Sequence, residues 1–430
     1  MKLNKWMIAG AAILVFAGVA PWGVGYVTEQ QWLQATEEVN STQPFVRMET
    51  DQYQRGVMGS EASGSLTIVD PKTGDSHRID FQFTVSHGVT GSLLDFRPSQ
   101  GWQPEGADWF QDAEPSLTLE TRLWGSATVE FQAPPMALEH PDGAESVRTS
   151  GGLARIDIGS MGEQADILMV WPELVLSGPR MNVKVEGFHL EQSMSWLVGG
   201  IWTGSGAMTL DSIALEGAAV PAVLVEGVAL NSGSEATDGE EKLDSNVVLE
   251  LESVQFGDKA YGPHRLEVAI EGVDVAGWND FSSAMTDMQM MAVTGGADPR
   301  AAFEQQMAVM QRFNDSIRGL AAAGFSVGIR ELSLETTEGK VRGSLDISHP
   351  ELSEEERENM LMVMQQLTGT LDFSMPLALA ETYPVVQMQV SPLIKQGLLV
   401  REGDQLVMNG RMEDLVLDVN GVQIPLPPLL

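Results

Sequence analysis

The chain has no cysteine, and basic residues are scarce: 25 Lys and Arg stand against 60 Asp and Glu in 430 residues. Without cysteine there is no disulfide, no thiol nucleophile and no thiolate metal site. A body of roughly 400 residues builds a core large enough to do without disulfides. The formal net charge of −35 opposes nucleic-acid binding, which needs neutralised phosphates. It also opposes lying flat on an anionic membrane surface, and it favours solubility. The hydrophobic fraction of 43% supports a folded core rather than disorder.

Recognisable catalytic patterns are missing too. The six histidines, His77, His87, His140, His189, His264 and His349, form no i, i+4 pair and no His-Glu-x-x-His. His87 precedes Gly88 at a strand end and reads as a turn or cap residue. Gly204-Ser205-Gly206 lacks the Lys of a phosphate loop and the spacing of a nucleophile elbow, so it reads as a turn or apolar flap. No carboxylate pair has a spacing that singles it out for acid–base work or calcium. No catalytic residue, metal or cofactor is expected.

What is present begins with residues 6–27, a run without charge. At about 1.5 Å per residue it is long enough for a hydrocarbon core of roughly 30 Å. Lys2 and Lys5 precede it and Glu29 follows, so the N-terminus is expected in the cytoplasm and the body outside. Trp6, Trp22 and Tyr26 sit where interfacial aromatics would. Pro21 after Gly18-Val19-Ala20 is an awkward first residue for a cleaved product, which favours an uncleaved anchor over a signal peptide. Ala11, Gly18 and Gly25 recur every seven residues, as small residues commonly do in membrane helices. Residues 28–43 continue as a polar helix with Trp32, Leu33 and Val39 as its apolar contacts.

The body reads mainly as strands. Tyr53–Val69 gives a strand, a bend and a second strand, closed by the turn Asp70-Pro71-Lys72-Thr73-Gly74. Arg78–Val85 alternates apolar and polar, the period of a half-buried strand. Segments such as 116–123, 182–190, 207–215, 247–254, 326–334, 340–347 and 369–375 repeat the style. The triplet apolar-Glu-Gly at 185–187, 215–217, 225–227 and 270–272 reads as a marker of strand ends. Residues 231–246 read as a polar loop and a candidate sub-boundary. Asn409-Gly410 and Asn420-Gly421 are hairpin signals.

Helices come late. Asp274–Val293 carries Trp278, Phe281, Met285, Met288 and Met291 near a three-or-four spacing. Pro299 opens the next, with Phe303, Met307, Met310, Phe313, Ile317 and Leu320 on one stripe up to about Gly324. Ser353-Glu354-Glu355-Glu356 is a capping-box pattern that opens a helix through Leu367. Met suits core packing, a promiscuous apolar groove, or a soft metal such as Cu(I), in that order of expectation. The groove reading selects Met285, Met288, Met291, Met307, Met310 and Phe313.

Five features together resemble the YdgA-like family, the DUF945 group. They are the N-terminal anchor, Tyr53-Gln54-Arg55-Gly56-Val57, Val85-Ser86-His87-Gly88, the passage Ile270–Phe281 containing Trp278, and Val407-Met408-Asn409-Gly410. Val89 stands where the family would have Pro. The resemblance implies a membrane-anchored protein with an envelope-facing body and supplies no catalytic residues.

The expected architecture is α+β and β-dominated. An anchor over 1–27 precedes a body over 28–430, made of a large antiparallel sheet with late packing helices. The expected function is non-enzymatic: a protein of the inner membrane, body in the periplasm, binding an apolar, lipid-like ligand or an envelope-protein client. Two alternatives stand beside it: an oligomeric scaffold of the envelope, and a hydrolase whose site the sequence does not reveal. Nucleic acid is excluded as a partner, and a homo-oligomer belongs to the scaffold reading.

Overall fold

The computed structural model describes residues 3–42, 45–70, 74–110, 112–140, 143–217, 221–293, 299–357, 363 and 365–426. Side chains of 3–19, 38, 42, 290–293, 299–305, 354 and 357 lie outside that description. The chain divides into two compact units, Met1–Val175 and Leu176–Leu430.

The first unit opens with helix α1 (Leu3–Thr42). Strands β1 (Val46–Arg55), β2 (Gly59–Val69), β3 (Ser76–His87), β4 (Gly91–Pro98), β5 (Ser116–Arg122) and β6 (Ala127–Ala133) follow as an antiparallel meander. The hairpin β7 (Met136–Glu139) and β8 (Ser146–Thr149) interrupts it. Then β9 (Gly152–Ile158) pairs with β6, and β10 (Gln164–Ser177) pairs with β9. Register aligns the apolar positions across the sheet. Val85, Leu94, Leu119, Val129, Ile156 and Ile167 form one row, and Phe83, Phe96, Leu117, Phe131, Ala154 and Met169 the next.

α1 covers the first strands of this face. Trp32 is buried, its ring centroid 4.8 Å from Phe83 and 5.6 Å from Phe96. Its Nε1 donates to Thr50 Oγ1 at 2.9 Å, so the indole is buried without an orphan donor. Two turns earlier Gly25 lies on the ring of His87: a Cβ there would stand 2.8 Å from Nε2. Only glycine allows that approach. His87 is buried, sharing hydrogen bonds with Ser60 Oγ (Nε2, 2.7 Å) and Ser92 Oγ (Nδ1, 2.9 Å). Ser92 in turn meets Thr28 Oγ1 of α1 at 2.8 Å. His87 is therefore a polar tie between helix and sheet rather than a turn residue.

This docking overlaps the expected anchor. Trp22 and Tyr26 flank the Arg55 guanidinium at 5.5 and 5.3 Å, and Arg55 pairs with Glu29 at 2.8 Å. Val24 is buried. The C-terminal part of the 6–27 run thus faces the sheet; residues 6–20 alone rise only about 22 Å. Most of that run, with Trp6, lies outside the described side chains. Among the described residues no helix is long and apolar enough to cross a membrane.

The second unit is a longer antiparallel sheet. Its strands are β11 (Met181–Val198), β12 (Ile201–Gly217), β13 (Val223–Thr237), β14 (Lys242–Phe256), β15 (Lys259–Tyr261), β16 (His264–Asp274), β17 (Phe325–Thr336) and β18 (Gly339–His349). β19 (Thr368–Pro376), β20 (Val400–Glu402), β21 (Gln405–Glu413), β22 (Val416–Val419) and β23 (Val422–Pro425) complete it. The order runs β11-β12-β13-β14-β16-β17-β18-β19-β21-β22-β23, with β15 beside β14 and β20 beside β21. The helices are α2 (Val275–Val293), α3 (Pro299–Ala322), α4 (Glu354–Arg357), α5 (Leu377–Thr382) and α6 (Pro384–Lys395). Thus the body is β-dominated with a few packing helices, as expected.

Several details differ from the sequence reading. Residues 231–246 are the two arms of the β13–β14 hairpin, with only 238–241 as its turn; their polar side chains belong to long, water-facing strands. Gly204-Ser205-Gly206 lies within β12, and the turn is Gly199-Gly200. Asn409-Gly410 is inside β21, whereas Asn420-Gly421, at φ 50° and 85°, does close a hairpin. α5 and α6 went unanticipated, because Pro384, Val385, Val386 and Pro392 read against a helix. Packing of Ala380 and Val390 into a core with Val341, Met375, Leu399 and Leu406 overrides that propensity. Glu356 accepts from the Ser353 amide at 3.0 Å and from its hydroxyl at 2.7 Å, so the Glu half of the capping box forms. The rest of its expected helix is mostly outside the described residues.

Two outcomes follow for the first unit. Trp32→Ala should cost roughly 3–5 kcal/mol, the range for deleting a buried aromatic, read by chemical denaturation; a loss under ~1 kcal/mol would mean α1 is not docked as described. His87 is held below its ordinary pKa, first by burial and then by Arg55. Its contribution to stability is therefore full above about pH 6.5 and lost as pH falls through the depressed folded value. The thermal midpoint should drop more steeply on acidification for the native chain than for His87→Gln.

Candidate functional site

In the second unit, apolar residues line up across the sheet as they do in the first. Leu190, Met208, Leu230, Leu249, Leu266 and Leu332 stand in one row, which continues through Gly343 to Phe373 and Met408. Beside it run Leu210, Val228, Leu251, His264, Leu334 and Val341. On the other side run Ser232, Val247, Val268, Ile329, Leu345 and Leu371. The intervening residues carry charge: Arg265 pairs with Glu250, with Glu267 at 2.8 Å and with Glu331 at 3.2 Å. One face is therefore apolar and the other ionic, the alternation of a sheet wet on one side.

The apolar set changes parity at two glycines. In β11 the apolar set changes from odd (Val183, Val185) to even (Leu190) across Gly187, and in β13 from odd (Val223, Val225) to even (Val228, Leu230) across Gly227. Both glycines have positive φ, 69° and 61°. A Cβ would sit 2.0 Å from the Asp211 carboxylate at Gly187 and 2.3 Å from Glu252 Cγ at Gly227. Register is unbroken across both: Glu186 and His189 pair with Ser212 and Thr209, and Glu226 and Val228 with Ser253 and Leu251. The Glu-Gly triplets at 185–187 and 225–227 thus lie mid-strand, not at strand ends; Gly217 alone of the four closes its strand.

The rows are covered unevenly. At one end α5 and α6 seal them: Val341, Met375, Leu399 and Leu406 are buried there, with Leu334, Phe373 and Met408 packed against them. At the other end no residue of β11, β13 or β14 is fully buried. A cavity of about 370 Å³ opens on this side, lined by Gly200, Ile201, Trp202, Ser234, Leu243, Ser245, Ile270, Val273 and Trp278. Burial pushes His264, within the rows, below its ordinary pKa, against the pull of Glu335; its Nδ1 has no hydrogen-bond partner among the described residues. The face can hold an extended apolar chain, with few polar groups to orient it.

The expected methionine groove is placed otherwise. Met285 and Met288 are half-buried on α2, and Phe313 of α3 lies 5.7 Å from Phe281. Met307 and Met310 are 56% and 41% exposed. The side chain of Met291 lies outside the described residues. None of the described ones lines the cavity above. Sequence reasoning missed the rows of β11–β14; their alternation was readable strand by strand, but the register that aligns them was not.

The motifs from residues 53–57 and 85–88 do come together. Tyr53 packs 6.3 Å from Phe83, Arg55 sits over Tyr26, and His87 meets Ser60. A family model described as bacterial protein of unknown function (DUF945) matches residues 3–427. The chain belongs to the DUF945 family. No curated protein and no solved structure matches it. In this DUF945 chain the Ser60–His87 pair has the spacing of a nucleophile and base, but both residues are buried beneath α1. Among the described residues no three His, Asp or Glu gather closely enough to hold a metal ion.

The uneven cover has a measurable consequence. Leu230→Ala, on the open part of a row, should cost about 1 kcal/mol, part of the ~1.5–3 kcal/mol for a fully buried side chain. Leu406→Ala, in the sealed part, should cost about 2–5 kcal/mol. Equal losses in denaturant titrations would mean that a second layer covers β13.

Proposed function

We propose that this DUF945 protein holds an apolar, lipid-like ligand on the open rows of the second unit, without catalysis. The observation that carries the reading is the continuity of the rows: the face that is a core beneath α5 and α6 runs on across β11–β14, where Leu210 of β12 is buried but the row residues of β11, β13 and β14 stay partly exposed. An acyl CH₂ removed from water contributes about 0.8 kcal/mol. Strands about 4.8 Å apart make the open stretch from β11 to β14 roughly 14 Å across. One leaflet of acyl chain spans about half of a ~30 Å hydrocarbon core, so a single chain fits along it. An apolar segment of an envelope-protein client would use the same surface.

The location belongs to the same proposal. The charge-free run at 6–27 behind Lys2 and Lys5 supports a tether to the inner membrane with the body in the periplasm. The overlap between that run and the docked part of α1 keeps the first unit close to the bilayer. The scaffold reading lacks a comparable observation, and the Ser60–His87 pair is sealed from substrate.

The test is mass spectrometry of organic extracts from detergent-purified full chain, Leu230→Glu and Asn231→Glu. All three share the same N-terminus. Native chain and Asn231→Glu, whose charge lies on the ionic face, should carry an enriched lipid class that Leu230→Glu lacks. Equal lipid in all three would assign it to the N-terminal segment and sink the reading.

A further inference from the structure

The outer end of the β11–β12 hairpin is built unlike the rest of this acidic chain. Residues 192–210, between Glu191 and Asp211, hold no charged side chain, the longest such stretch after the run at the start of α1. Trp196 and Trp202 stand directly opposite each other beside the Gly199-Gly200 turn. They are 45% and 37% exposed, and Val198 between them is 44% exposed. The Trp196 indole N–H donates to Gly199 O at 2.9 Å, so its polar atom is satisfied without water. The turn is fixed rather than free: the Gly200 amide donates to Asn279 Oδ1 of α2 at 3.2 Å. A Cβ on Gly199 would stand 2.2 Å from the same oxygen.

We propose that this hairpin end is a membrane-docking element that enters the interfacial layer of a phospholipid bilayer. Tryptophan favours that layer, where an apolar body and a polar edge are both accommodated. Its other occupants are disfavoured by what the stretch lacks. A protein partner's rim is polar and charged, whereas here charge is absent over 192–198 of β11 and 201–210 of β12. In a chain of net charge −35, that gap is also the part of this unit least repelled by anionic head groups. The pinned turn presents the two indoles together, so docking orders little that is not already ordered. The cavity lined by Ile201, Trp202 and Trp278 opens beside the turn, which places the mouth of the apolar face at the bilayer. That last step rests on the lipid-holding reading; the docking does not.

The absence of cysteine makes the test clean. An environment-sensitive fluorophore is attached to Val198→Cys in the full chain, and separately to Asp258→Cys, in the exposed turn after β14. Each is mixed with phosphatidylcholine vesicles with and without brominated acyl chains. Position 198 should shift to the blue and lose emission to the brominated lipid, while position 258 should do neither. The response at 198 should fall when Trp196→Ser and Trp202→Ser are added. Equal quenching at both positions, none at either, or quenching at 198 indifferent to the two tryptophans would overturn the proposal. Docking at 198 in a protein that carries no lipid would leave the hairpin assignment standing and remove the ligand.

Discussion

Cross-strand register is the constraint on which the second unit depends. A single-layer sheet buries little on either face, so a strand gains from its side chains only when each faces apolar neighbours on both sides. Leu230 illustrates it: Met208 and Leu249 flank it, and it stays partly exposed. A slip of one residue in β13 would put Asn231 among the leucines and Leu230 among the ion pairs. The positive-φ glycines act within this constraint. Gly187 and Gly227 let long strands twist without losing register, and the carboxylates of Asp211 and Glu252 occupy the space that their side chains would need.

The first unit solves the same problem differently. Its rows are covered where α1 crosses them, and the helix is fixed by contacts of contrasting kinds. Trp32 supplies apolar area and ring contacts with Phe83 and Phe96. His87 supplies a hydrogen-bonded tie to Ser60, Ser92 and, through Ser92, Thr28. The apolar term sets the strength of docking and the polar tie sets its position, because Gly25 can approach the sheet only where the His87 ring lies flat beneath it. A neutral histidine buried in this way is stable only while it stays neutral, which ties the position of α1 to proton activity.

Much of this was legible in the sequence. The alternation in Arg78–Val85, the helix limits near Val275 and Pro299, and the Asn420-Gly421 turn each rest on local chemistry, and local chemistry decided them. The failures share a physical cause. The polarity of 231–246 suggested a loop because strands with one wet face and a wet edge look polar; pairing with neighbours made them strands. α5 and α6 form against their own propensity because Ala380 and Val390 fill a core that joins Met375, Leu399 and Leu406 to the distant Val341. The methionine helices drew attention as a candidate site because Met is conspicuous in a sequence. The apolar rows draw one or two residues from each of many strands, so no window of sequence contains them.

An uncovered apolar face is a hazard as well as a resource, since exposed patches of this kind favour association. The net charge of −35 answers that hazard from the opposite side of the sheet. Arg265 is surrounded by Glu250, Glu267 and Glu331, and Arg330 by Glu271 and Asp346, so the ionic face is locally paired yet remains negative in sum. Such surface pairs add little stability. Their acidic excess repels other copies of the chain at distances within about a Debye length, roughly 8 Å at physiological salt. Charge is withdrawn only where close approach is useful on the present reading, at the start of α1 and the outer end of β11–β12. On the lipid-docking proposal, the acidity of the whole and the neutrality of those two segments serve one end: repulsion keeps apolar faces apart, and the gaps in it leave room for a bilayer.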